Sequence, residues 1–124
     1  FIMKIAIPVN SNCMDSTVCS SYSHAPYFFL YDLKTNMHQF LLNQFDETVK
    51  RADITATQIL ADQQVHVLIT KHCARHTASL VNDADIRVYR AKYDTISENI
   101  EAFEKDELEI MTELRPDLYQ SAEQ

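Results

Sequence analysis

A chain of 124 residues has room for one compact domain, and 46% apolar against 23% charged residues is the balance of a globular protein, not of a disordered or fibrous one. It contains no glycine, where average usage of about 7% gives roughly nine, so the phosphate loop and the dinucleotide fingerprint are excluded: both need a backbone without Cβ at fixed offsets. The formal charge of -7 lies entirely in the last 27 residues, nine acids against Lys105 and Arg115, because residues 1–97 hold nine acids and nine bases; no basic stripe suggests a nucleic-acid footprint.

In chain order, Lys4-Ile5-Ala6-Ile7-Pro8-Val9 reads as a strand entering the polar Asn10-Ser11-Asn12, although Pro8 speaks against a central position in a sheet. Residues 11–23 are small and polar, without a period of 2 or 3.6, and form the one long loop. Tyr27 to Tyr31 and Met37 to Leu42 flank a turn at 32–36, which predicts a hairpin with Asn36 at positive φ in the place of glycine. Val49, Ala52, Ala56, Ile59 and Leu60 recur at steps of three and four and predict an amphipathic helix ending near Asp62.

Val65 to Thr70 follows as a compact strand, then a helix opening around His72 with Ala78, Leu80 and Val81, then a strand over Ile86 to Tyr89. Thr95 and Glu98 match a capping box and start a helix with Ile96, Ile100 and Phe103 inward; its pattern runs on through Met111 and Leu114 until Pro116 forbids it. Strands alternating with helices after a hairpin imply a mixed α/β sheet. Ligands in such sheets bind outside the carboxyl ends of the strands, where connections diverge.

Two loops that would leave such strands carry five of six soft donors, Cys13, Cys19 and His24 in the first and His72 and Cys73 in the second, with His76 one helical turn beyond His72. Thiolate and imidazole select copper, zinc and metal-sulfur clusters over hard cations, so these residues read as a soft-metal or cluster site. The plain alternative leaves Cys13 and Cys19 as solvent-facing loop residues and Cys73 as a small apolar helix residue. Lys71 and Arg75 flank His72 and Cys73 at a helix start, which suits an anion; a solvated helix end is the equally ordinary alternative. Cys73 with His76 also permits an activated thiol, whereas no carboxylates converge for acid-base work. His38 and His66 alternate with apolar neighbours and read as structural, and the tyrosines at 27, 31, 89 and 93 as packing residues. Three cysteines in a chain able to fold without staples read as reduced thiols, and the absence of an apolar run of membrane length places the protein in the cytoplasm, off the membrane.

Met3 to Val9, Asp15-Ser16-Thr17-Val18, Ala25-Pro26-Tyr27-Phe28 with Tyr31-Asp32, Ala61 to Val65 and the Val67 to Thr70 strand together resemble the dinitrogenase iron-molybdenum cofactor biosynthesis family, in unbroken order over roughly residues 3 to 110. The resemblance implies a ribonuclease H-like α/β fold, a five-stranded mixed sheet of order 3-2-1-4-5 with helices on both faces, without nuclease activity. It also implies one domain over 3–112, followed by an acidic extension over 113–124. The family's His-Phe-Gly-Arg before Ala-Pro falls on Ser21, Tyr22, Ser23 and His24; its Thr-Gly-x-x-Gly-Pro falls on Thr70, Lys71, His72, Cys73, Ala74 and Arg75. Further glycine positions fall on Gln64 and Asp106, and a glycine-rich stretch on Asp46 to Asp53.

The function so implied is non-enzymatic: a carrier or accessory protein for an iron-molybdenum cofactor-like or other metal-sulfur cluster, or a soft metal ion. Its ligand surface would comprise Cys13, Cys19, Ser21, His24, Lys71, His72, Cys73, Arg75 and His76, with His24, His72, Cys73 and His76 touching metal. Its partners would be the cluster and a protein that receives it, and the chain would be a monomer or homodimer. The alternative from another class is an interaction module that uses the acidic helix Glu98 to Glu113 without metal.

Overall fold

The structure, a computed structural model, describes residues 3–43 and 51–111. Strands β1 (Lys4–Val9), β2 (Tyr27–Asp32), β3 (Met37–Leu42), β4 (Val67–Thr70) and β5 (Arg87–Arg90) form one sheet in the order β3-β2-β1-β4-β5. β1 and β2 pair antiparallel, as do β2 and β3, while β4 lies parallel to β1 and β5 parallel to β4. This is the mixed sheet that the sequence implies.

Alternation along the strands splits the interior into two layers. Ala6, Phe28, Leu30, Leu68 and Val88 point to one face, where α1 (Ala52–Asp62) supplies Ala56 and Leu60 and α2 (Arg75–Asp83) supplies Val81. Ile5, Ile7, Val9, Phe29, Val67 and Ile69 point to the other, beneath Ile96 and Ala102 of α3 (Ile96–Glu104). Helices therefore cover both faces. No helix among the described residues is long and apolar enough to cross a membrane.

Several boundaries differ from the sequence reading, each for a local reason. β1 is central despite Pro8, because Pro8 is its last but one residue, beyond the β4 pairings at Ile5 and Ala6, and its carbonyl accepts the Cys19 N–H at 2.8 Å. α2 starts at Arg75 with Ala74 as N-cap, so His72 and Cys73 precede the helix and His72 is not one turn before His76 on it. α3 stops at Glu104: the apolar period continues through Leu108 and Met111, but the chain reverses at Asp106 and residues 109–111 lie against β5 as a short antiparallel segment. The stretch read as one acidic helix, Glu98 to Glu113, is thus helical only to Glu104, and Glu113 lies outside the described residues. Val49, the stretch from Asp46 to Lys50, and Leu114, Pro116 and the acidic extension lie outside the described residues.

The helix ends explain how a glycine-free chain turns. Gln64, Asp85 and Asp106 each take positive φ (60°, 64° and 61°) directly after a helix C-cap, and Asn36 does so in the hairpin turn at 61°. Around each of the three, two reversed hydrogen bonds close a Schellman motif: Gln64 N–H to Ala61 O with Val65 N–H to Leu60 O, Asp85 to Asn82 with Ile86 to Val81, and Asp106 to Phe103 with Glu107 to Ala102. Val65 and Ile86 then drop into the same apolar layer as Leu60 and Val81, which fixes the angle at which the chain re-enters the sheet. A side chain at positive φ crowds its own carbonyl, so these turns form against a local strain.

The segment after β5 hangs on one residue. Asn99, fully buried on α3, accepts the Lys92 and Tyr93 amides through Oδ1 (3.0 and 3.1 Å) and donates from Nδ2 to the Tyr93 and Thr95 carbonyls (both 2.8 Å). Thr95 caps α3 by accepting the Glu98 N–H at 3.3 Å, and its hydroxyl donates to the Glu98 carboxylate at 2.7 Å, so the carboxylate meets the hydroxyl instead of the cap amide.

Two stability outcomes follow. Gln64→Gly should stabilise the fold by about 1 kcal/mol, and Asp85→Gly and Asp106→Gly by less, since Asp tolerates positive φ better than Gln; denaturant midpoints measure this. Asn99→Ala, which strips four bonds made by a buried side chain, should cost about 2 to 4 kcal/mol in the same measurement.

Candidate functional site

Because β1 and β4 are parallel neighbours, the loops that leave them start at the same edge of the sheet and then part, one toward β2 and the other toward α2. Between them lies a cleft of about 540 Å³, walled by residues 20–24 of the first loop, residues 51–53 at the start of α1, and His72, Cys73, Ala74, His76 and Thr77.

The first loop divides into two arms. Its outer arm is closed by Ser16, whose hydroxyl accepts the Asn10 and Ser11 amides at 3.1 and 2.9 Å, and by Asn10 Nδ2 on Thr17 Oγ1 at 2.7 Å. Cys13 is exposed on this arm, with the Ser11 hydroxyl 3.9 Å from its sulfur, and half-buried Cys19 is tied to Pro8; neither lines the cleft. The inner arm bears His24. Ser21 Oγ accepts the His24 N–H at 3.2 Å, and Ser23 Oγ lies 3.1 Å from His24 Nδ1, so hydroxyls shape the turn that glycine would otherwise make. Tyr22 points into the interior and meets Thr57 Oγ1 at 2.9 Å, and Thr57 in turn donates to the Asp53 carbonyl at 2.7 Å. Burial raises the Tyr22 hydroxyl far above the ordinary tyrosine range, so it stays protonated.

On the opposite wall, Thr70 Oγ1 donates to the His72 carbonyl at 3.4 Å and leads the chain out of β4. Lys71 turns away and binds Asp94 Oδ1 at 2.6 Å, while Arg75 is exposed outside the cleft. These two cations therefore do not frame an anion in it. His72 and His76 are exposed along the wall, and half-buried Cys73 packs against the α1/α2 layer. Burial pushes the Cys73 thiol up to about 11, so in the ligand-free protein it is a neutral thiol and not an activated thiolate.

The charged floor comes from residues the sequence did not single out. Asp53 receives Arg51 Nε at 3.2 Å and Nη2 at 3.3 Å, the Ile54 amide at 3.0 Å and Thr77 Oγ1 at 3.5 Å, and His76 Nε2 stands 4.0 Å away. The Arg51 guanidinium holds its carboxyl below the usual carboxylate range. Arg51 and Asp53 sit two residues apart at a helix start, an ordinary surface pattern, and only the packing of α1 on the sheet brings them to the cleft. Of the nine candidate residues, the structure gathers Ser21, His24, His72, Cys73 and His76, and leaves Cys13, Cys19, Lys71 and Arg75 outside. Among the described residues, no three His, Cys, Asp or Glu side chains are already placed to close on one metal ion. His66 and His38 lie away from the cleft: His66 Nδ1 accepts the Lys4 amide at 3.2 Å, and the His38 ring packs 5.5 Å from Phe29.

The model of the family described as dinitrogenase iron-molybdenum cofactor matches residues 3–106, from the start of β1 to the turn after α3. The chain belongs to that family. Solved structures of like fold include the apo form of the orange protein from Desulfovibrio gigas, with a TM-score of 0.82 and 21% identity over 90% of this chain and 94% of that one. A candidate NifB protein from Thermotoga has a TM-score of 0.74 and 25% identity over 93% and 98% of the two chains. A candidate dinitrogenase from Methanocaldococcus jannaschii has a TM-score of 0.67 and 20% identity over 90% and 96%. A comparison with curated protein sequences yields no match. The family match ends where the Schellman turn at Asp106 closes α3, so every cleft residue lies inside it.

The chemistry of Cys73 gives a direct check. With Cys13→Ser and Cys19→Ser in place, iodoacetamide should alkylate Cys73 about a hundredfold more slowly at neutral pH than a thiol at the ordinary value of 9.0, and the rate should climb as pH rises toward about 11. A rate already flat at pH values near 8 would contradict the buried-thiol geometry.

Proposed function

We propose that this protein is a small carrier or accessory protein that holds a metal-sulfur cluster in the cleft between the β1 and β4 loops, with His24, His72, Cys73 and His76 as its soft donors. The observation that carries this reading is the convergence of these four side chains, from two segments distant in sequence, on one cleft at the switch point of the sheet. The family, of a cofactor-binding or carrier type, supports the same reading.

The donor set also speaks to the kind of cargo. Imidazole and thiol donors on one cleft suit a soft metal, and a cluster that brings its own sulfide bridges needs few protein ligands. Cys73 would bind as thiolate, so loading would release its proton and favour higher pH. Ser21 and Ser23 would hold the His24 turn, and the neutral Tyr22 would close the base of the cleft without adding charge. Arg51, already paired with Asp53, would leave the cleft floor near neutrality. Cys13 and Cys19 stand apart from this donor set. The role so read is binding and delivery to a recipient protein, in keeping with the family's type.

Anaerobic purification, incubation with molybdate, copper and sulfide or with iron or zinc, then metal analysis and a visible spectrum test the reading. Retained metal with a charge-transfer band supports it, and replacing both His72 and Cys73 with Ala should lower retention by about tenfold or more. A protein that stays colourless and metal-free under all these conditions would sink it.

A further inference from the structure

We propose that Asn43, at the end of β3 and outside the cleft, is the positioning residue for His24. Its backbone N–H donates to the Pro26 carbonyl at 3.0 Å, and its side-chain Nδ2 donates to the Ser23 carbonyl at 3.1 Å and the Ala25 carbonyl at 2.8 Å. The two side-chain bonds bracket His24, one on the residue before it and one on the residue after, and the third fixes the proline that follows. Asn43 is 4% exposed, so these bonds are made away from competing water.

The residue is a poor choice as mere filling. Its Oδ1 is buried and meets no donor among the described residues, a cost that an apolar side chain of like shape would avoid. What the amide contributes is its two N–H groups, and both are spent on the segment that carries His24. The register makes the geometry possible: Tyr27 pairs with Leu42 at the open end of the β2-β3 hairpin, so the residue after Leu42 falls beside the residues before Tyr27. Ser21 and Ser23 then settle the turn locally, while Asn43 anchors it to the sheet.

The consequence for ligand binding rests on the cluster-carrier reading above; the anchoring of the turn does not. Asn43→Leu keeps the branched shape in a somewhat larger side chain and removes both side-chain donors, and Asn43→Ala serves where the leucine variant fails to fold. In the ligand-free variant, the amides of residues 23–25 should exchange hydrogen at least about tenfold faster, with β1 amides unchanged. Affinity for copper(I) with tetrathiomolybdate should fall roughly five- to tenfold in the wild-type background, and should not fall further when Asn43→Leu is added to His24→Ala. Unchanged exchange at residues 23–25 would overturn the proposal, as would an equal loss of affinity in both backgrounds, which marks a general structural role. If the wild-type protein does not bind this probe, the exchange measurement alone decides whether Asn43 anchors His24, and the carrier reading is decided separately by the full metal series above.

Discussion

The parallel pairing of β1 with β4 is the constraint on which the rest depends. Ile5 with Val67 and Ala6 with Leu68 form the centre of the sheet, buried on both faces, and parallel neighbours need a crossover that antiparallel ones do not. That pairing fixes α1 on one face, sends the two exit loops off the same edge, and leaves a cleft where they part. At the rear of the loops, a strut keeps the opening from being a matter of loop chance. Asp94 binds Lys71 with its carboxylate and Val18 with its carbonyl, at 2.6 and 2.8 Å, and Thr17 bridges Thr95, so the segment that Asn99 holds is tied to both loops behind the cleft. An exposed ion pair contributes little to stability, but here it joins two loops that are distant in sequence.

Much of the fold was legible because its signals are local. Short apolar runs marked all five strands, Asn36 stood out as the turn residue, and the resemblance pointed to Gln64 and Asp106 as positions built for glycine. The misread boundaries share one cause. A helix normally announces its end with glycine and its start with a side-chain cap, and this chain withholds both at the places that matter. Lys105-Asp106 does not look like a stop, so the apolar period through Leu108 and Met111 read as more helix when those residues turn back against β5. Ala74 does not look like a start, so α2 was placed at His72. Asp85 carries the same backbone role as Gln64 and was not recognised.

The site was half legible. His24, His72, Cys73 and His76 could be found because both loops could be placed at the ends of β1 and β4. That Cys13 and Cys19 stand aside could not be found, because it depends on Ser16 and Asn10 folding the outer arm onto itself. Arg51, Asp53 and Asn43 reach the site through tertiary packing: α1 lies down on the sheet, and β3 ends beside the first loop. Their local sequence gives no hint of either. Tyr22, an aromatic in an otherwise small and polar loop, was the one such residue with a visible signal.

The two margins of the sheet are unlike. Residues 109–111 lie along β5, with Arg90 N–H on Glu109 O and Met111 N–H on Val88 O at 2.8 and 2.7 Å, whereas among the described residues no segment pairs with the outer edge of β3, where Met37 and Leu42 are exposed. An open margin can accept a neighbouring strand, but growth of a fibril by sheet extension requires two such margins on every molecule. A three-residue covering segment is too short a template for the second. Among the described residues the sheet therefore offers one open margin for a strand-to-strand join, and a join through that margin alone ends as a pair.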